Sequence, residues 1–231
     1  MTQHEITTAA PLLDANGDLR EPGWARSLLP VYCRQEIRAP KMRIKEWDYY
    51  LITDGHIGLA LTIADNGYMG LSSISFLNFD ERWEITKSPM RLFPMGKTGL
   101  PETSALGASE IAASKYALAF YHEDGARQLS FHMDAFRGKD AIEGIVTLTD
   151  EPEDSLVIAT PFDKPGHFYY NQKINCLRAS GWVELGGEKF ELTPDRFFAV
   201  LDWGRGVWTY HNTWYWSSAS GTLDGVPFGW N

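Results

Sequence analysis

Between Asp202 and Gly221 the chain reads DWGRGVWTYHNTWYWSSASG, and this run holds most of what could do chemistry. It contains a carboxylate (Asp202), a guanidinium (Arg205), an imidazole (His211) and four of the nine tryptophans: Trp203, Trp208, Trp214 and Trp216. A carboxylate among indoles loses hydration and needs a cation or a proton in exchange. Paired with Arg205, Asp202 would orient a ligand. Left unpaired, it would hold a proton and become an acid suited to hydrating or cyclising a double bond, with tryptophan faces stabilising the positive charge that develops. His167 and His211 are the other candidate acids or bases, since imidazole titrates near neutrality. His167 lies in PGHFYYNQ beside Tyr169 and Asn171. Trp203, Arg205, Trp208, Trp214, Trp216, Tyr169 and Asn171 are the expected ligand-binding residues.

The elements that must position these groups read as strands. From Val207 to Ser218 the residues alternate, with Trp208, Trp214 and Trp216 on one parity, which predicts a strand with one buried aromatic face. Gly204 and Gly206 flank Arg205, a pattern of a bulge or a close backbone approach. Elsewhere short apolar runs recur at about ten-residue spacing, punctuated by Asp54-Gly55, Asn66-Gly67, Asp124-Gly125 and Gly186-Gly187, and no helical period is sustained. Residues 88–108 read as a long loop or rim lid. Residues 1–45 read as an N-terminal arm and extended segment, with Trp24 docking on the body, and 46–231 as one β-barrel domain. The expected fold class is all-β: a lipocalin-like antiparallel barrel or a strongly curved sandwich.

Three blocks carry a family resemblance: DWGRGVW with WYWSSASG, GWARSLL at 23–29, and KEWDYYLI at 45–52. Together they resemble a bacterial family known as domain of unknown function 2804, over most of the chain. The block FYYNQKINCLRASGWVELGGEKFELT, followed by Asp202-Trp203-Gly204, is similar in layout to AttH-like and hydroxyneurosporene-synthase-like proteins. That resemblance implies a lipocalin-type barrel, an acidic residue at Asp202 beside its cavity, and relatives that hydrate or cyclise unsaturated lipids. It also implies further β-rich sequence after GVPFGWN, so the chain reads as C-terminally truncated, with a second barrel missing.

The chain has 231 residues, a net charge of −9 and 13% aromatic residues. That acidity argues against binding a phosphate backbone, so nucleic acid is not an expected partner. No apolar run is long enough to span a bilayer, and MTQHEITTAAPLLDANGD lacks the features of a signal peptide, which together favour a cytoplasmic location. Cys33 and Cys176 make neither a disulfide framework nor a metal set, and no cofactor motif is present. The first expectation is therefore a protein that binds a small hydrophobic or amphipathic molecule of lipid or terpenoid type. A hydratase, cyclase or isomerase acting in the same cavity is the alternative. The third is carbohydrate recognition on tryptophan platforms, with Glu184, Asp195 and Asp202 as carboxylates for glycan chemistry.

Overall fold

In the computed structural model, residues 3–123 and 125–231 are described. The chain is nearly all strand. Three short N-terminal strands, β1 (Ala10–Pro11), β2 (Gly23–Ala25) and β3 (Pro30–Val31), precede two single-turn 3-10 helices at Arg34–Glu36 and Lys41–Arg43. Then come β4 (Ile44–Thr53), β5 (Ile57–Asp65), β6 (Met69–Asn78), β7 (Trp83–Lys87) and β8 (Met90–Leu92). The second run is β9 (Gly107–Ala113), β10 (Tyr116–Glu123), β11 (Ala126–Arg137), β12 (Asp140–Thr149) and β13 (Leu156–Pro161). Last are β14 (Phe168–Leu185), β15 (Glu188–Leu192), β16 (Phe198–Val207), β17 (Ala219–Leu223) and β18 (Val226–Trp230).

One antiparallel sheet dominates, in the order β7-β6-β5-β4-β16-β14-β12-β11-β10-β9, with β8, β13, β15 and β2 attached beside it. It curls until β9 nears β5 and β7 nears β11, yet the end strands do not pair, so the curled sheet stays an open barrel. The pattern of β4 shows why this segment is a strand: Ile44, Glu46, Asp48, Tyr50 and Ile52 are buried inside the curl, while Lys45, Trp47, Tyr49 and Leu51 alternate on the other face. The interior is packed with apolar side chains including Phe76, Phe120, Phe136, Ile174 and Trp203. The first 45 residues wrap onto this body. Ile6, Leu12 and Leu13 join the core, and β2 pairs with β13, setting Trp24 opposite Ile158.

Several sequence expectations meet a different structure. Residues 208–218 are not a strand. The ladder of β16 ends at Val207, because both its neighbours end there too: Val207 pairs with Ile44, the first residue of β4, and with Phe168, the first of β14. With no partner on either side the alternating segment has nothing to bond to, and it folds back across the sheet. It is held by Asn212 Nδ2 donating to the Thr209 carbonyl at 3.0 Å and by Arg43 donating to the Trp208 carbonyl. Gly204 and Gly206 lie in unbroken register with β4, so they form no bulge. They are close approaches instead: a Cβ on Gly206 would lie 2.4 Å from the Phe168 carbonyl oxygen. The bulge is in β14, between Ile174 and Leu177, where Cys176 takes a φ of 62°. Segment 93–106 closes one end of the interior, its Pro101 and Ser104 carbonyls accepting from buried Arg205 and Arg127 at 2.8 and 2.7 Å. Of the expected Asp124-Gly125 turn, Asp124 lies outside the described residues, and Gly125 has a φ of 74°.

Candidate functional site: an aromatic cleft on the outer face

A cleft of about 800 Å³ lies on the outer face of β5, β4, β16, β14 and β13, roofed by residues 208–216. Alternation builds its floor. Lys45, Trp47 and Tyr49 from β4 lie on the same side of the sheet as Asp202 from β16 and Tyr169 and Lys173 from β14. Leu156, Ile158 and Thr160 from β13 extend it, and Trp208, Trp214 and Trp216 descend from the roof. The glycines of β16 create the room. At Gly204 a Cβ would sit 2.0 Å from Cζ2 of Trp47, so the indole lies flat over the backbone where a side chain would otherwise stand. Trp47 then stacks on Tyr169 with ring centroids 6.1 Å apart, and both meet Trp208 edge-on at 5.5 and 5.7 Å. Trp214 closes the cluster edge-on to Trp208 at 5.0 Å. Such edge-to-face contacts suit the ring quadrupoles and hold the roof to the floor.

Asp202 is the polar centre of this surface. Its Oδ1 accepts from Trp47 Nε1 at 3.0 Å and from Asn171 Nδ2 at 2.7 Å, while Lys173 Nζ pairs with Oδ2. The pair is largely sequestered, with Lys173 7% and Asp202 16% exposed in their side chains. Burial pushes the Lys173 ammonium below its ordinary range, and the Asp202 charge opposes that shift. Burial, then the Asp202 charge, raises the Tyr49 phenol to about 12. As the anion, Asp202 satisfies every group that reaches it. A carboxyl proton would find no acceptor among the three donors.

Arg205 does not belong to this site. Residues 202 and 205 have opposite parity, and Arg205 points into the interior, fully buried. There Nη1 donates to Asp48 Oδ1 at 3.0 Å and to the Trp47 and Gly204 carbonyls at 2.8 and 2.9 Å. Glu46 lies 4.0 Å from Arg205 Nε and also receives the Tyr32 hydroxyl at 2.7 Å and the Arg34 guanidinium. Trp203 is likewise interior, 1% exposed and edge-on to Tyr32 and Tyr170. The expected Asp202–Arg205 pair and the expected ligand contacts of Trp203 and Arg205 are thus replaced by Asp202–Lys173 on one face and Arg205–Asp48 on the other. Trp208, Trp214 and Trp216 do line the cleft, but from a loop, with Trp214 64% and Trp216 42% exposed rather than buried on a strand. Tyr169 lines it as expected. Asn171 is buried beneath it and holds Asp202 and the Trp203 carbonyl. Neither His167 nor His211 lines it: His167 is buried near the Pro165 carbonyl, and His211 is exposed.

Lys45, Trp47, Tyr49 and Lys173 were not anticipated. Their signal was period two: Tyr169 and Asn171 continue to Lys173, and Trp47 has Lys45 and Tyr49 on either side.

A profile of one protein family matches residues 3–231. The chain belongs to the family described as domain of unknown function DUF2804. No curated protein matches it. Among solved structures, this DUF2804 protein is similar to a putative AttH from Nitrosomonas europaea, at 13% identity over 87% of this chain and 59% of that one, with a TM-score of 0.46. It is also similar to kievitone hydratase from Nectria haematococca, at 12% identity over 85% of this chain and 57% of that one, with a TM-score of 0.40. The chain spans less than three fifths of either of these structures. Among the described residues no helix is long and apolar enough to cross a membrane.

Proposed function

We propose that this DUF2804 protein binds a small hydrophobic or amphipathic molecule in the outer-face cleft. The observation that carries this reading is the wall itself: Trp47, Tyr169, Trp208 and Trp214 in mutual contact around an open volume of about 800 Å³, with the one carboxylate already paired. Sites for small organic ligands are concave, mostly apolar and furnished with a few placed polar groups. Native mass spectrometry of protein purified from its own host tests it. A co-purifying lipidic molecule is expected in the wild type and should be lost from Trp214→Ala, whose side chain lies in the roof and supports no strand. A bare protein mass, together with no change in tryptophan emission across a lipid panel, would defeat the reading.

A second reading, carbohydrate binding, draws on the exposed rings of Trp214 and Tyr215, 64% and 98% accessible. It expects glycans rather than lipids to perturb Trp214 emission.

The Asp202→Asn variant separates binding from proton donation. Removing the charge leaves Lys173 buried without its counter-ion. Breaking a buried pair costs about 3–5 kcal/mol, and the partial exposure of Asp202 places the loss at or below the lower end of that range. Because burial already depresses the Lys173 ammonium, losing Asp202 depresses it further, so the deficit should be larger near neutrality than at alkaline pH, where the ammonium is lost in both proteins. A catalytic acid would give the opposite result: an unchanged melting temperature and ligand affinity, with turnover lost.

A further inference from the structure

We infer that the cleft takes an anionic amphiphile, a long-chain carboxylate whose head pairs with Lys45 while its chain lies along Trp47, Trp208 and Trp214. This rests on the binding reading above. Three charged side chains line the cleft: Lys45, Lys173 and Asp202. The last two neutralise each other. Lys45 has no carboxylate within 4.0 Å among the described residues, although the chain as a whole is acidic. Its ammonium donates to the Asn66 carbonyl at 2.7 Å and rests 4.1 Å over the Tyr68 ring, which leaves donor capacity unused.

The groups facing Lys45 do not cancel its charge. From its own strand's approach Arg43 adds a second positive charge. Asp65 at the end of β5 is fully buried and already committed, accepting from Gly67 N at 2.9 Å, Gly96 N at 2.8 Å and the Thr98 hydroxyl at 2.9 Å. Across the ladder Lys45 meets only the backbone of Gly206. Lys45 and the Asp202–Lys173 pair stand at opposite ends of the floor: four residues of extended β4, about 13 Å, separate Lys45 from Tyr49, which is opposite Asp202. Trp47 lies between them with Trp208 and Trp214 above it, while Trp216 covers the Lys173 end. A free cation at one end, an apolar trough and a closed ion pair at the other end fit a molecule with one anionic head and an apolar tail.

Burial, with Arg43 next, lowers the Lys45 ammonium to about 8, against the pull of Asp65. The charge is therefore present at pH 7 and is lost as pH rises through that value, so carboxylate affinity should weaken over the same interval.

The test titrates dodecanoate and hexadecanoate against dodecanol and hexadecanol, followed by tryptophan emission. At pH 7 the carboxylates should bind about tenfold or more tighter than the alcohols, the effect of one charge-assisted contact. Raising the pH past 9 should erode that advantage and leave alcohol binding unchanged. Lys45→Met should bring the carboxylates down to the alcohols' affinity, and Lys45→Arg should keep the advantage and remove its pH dependence. Equal binding of acids and alcohols by wild type, or an advantage that survives in Lys45→Met, would overturn the anionic assignment and leave the binding reading standing. If neither acids nor alcohols bind, the binding reading falls as well.

Discussion

Replacing Arg205 by Met should lower stability by about 3–5 kcal/mol, the cost of leaving buried carboxylates without their cation. For a chain of this size that is a fall in melting temperature on the order of 10 °C, readable by calorimetry. Arg205 is fully buried, and its loss strips Asp48 of its ion pair and leaves Glu46 with Arg34 as its guanidinium partner. It also frees the carbonyls of Trp47, Gly204 and Pro101 from their guanidinium donor. The pH dependence distinguishes this cause from simple loss of packing. Burial already raises Glu46 above the ordinary carboxylate range, with Arg205 and Arg34 pulling it down. A folded-state value raised above the unfolded one means that stability is lost as pH climbs through that window. Without Arg205 the window widens upward, so the deficit of Arg205→Met should be smaller at about pH 5 than at about pH 8. A deficit equal at both values would mean that the carboxylates do not feel this cation. Arg205→Lys should fall between, since an ammonium keeps the charge but cannot reproduce the fork that reaches Asp48 and three carbonyls.

Gly204→Ala should abolish ligand binding at a stability cost of about 1–3 kcal/mol, the usual range for a methyl forced into filled space. The added Cβ would lie 2.0 Å from Cζ2 and 2.3 Å from Cε2 of Trp47, so the indole has to leave. With it go the bond to Asp202 and the stack on Tyr169, which are the middle of the cleft floor. Gly206→Ala serves as the control. Its Cβ meets a backbone oxygen, so the substitution strains the sheet while leaving Trp47 over Gly204. The pair should therefore dissociate the two readouts: binding lost in Gly204→Ala, stability lost more heavily in Gly206→Ala. Combining Gly204→Ala with Trp47→Ala should recover part of the melting temperature and none of the binding. Wild-type affinity in Gly204→Ala would show that Trp47 is not part of the binding surface.

How far the sequence reveals this protein depends on whether a feature is set locally. Strand class, many turns and the antiparallel order follow from alternation and Gly-containing turns, and the family blocks agree with them. The parity of 202 against 203 and 205 was legible too, and it is what sends Asp202 to the cleft and Trp203 and Arg205 to the core. Grouping all three as one site followed from their adjacency in the chain rather than from their faces. The segment after Val207 shows the opposite limit. Its alternation is as regular as that of β4, but a strand needs a neighbour. Nothing near Trp208 reports that β4 and β14 both stop at the level of Val207. The Lys173 partner of Asp202 depends in the same way on the register of β14 with β16, where the two residues are directly opposed.

The floor of the cleft joins segments far apart in the chain. Trp47 and Asp202, bonded across it, are 155 residues apart. Strands β4, β5 and β6 are consecutive hairpins and can zip early, whereas β16 has to close a very long loop before it reaches β4. During synthesis the flank of β4 that will receive β16 stays open while the stretch between Trp47 and Asp202 is made. The same edge that later floors the cleft is, until then, a place where a nascent chain is exposed to the wrong strand.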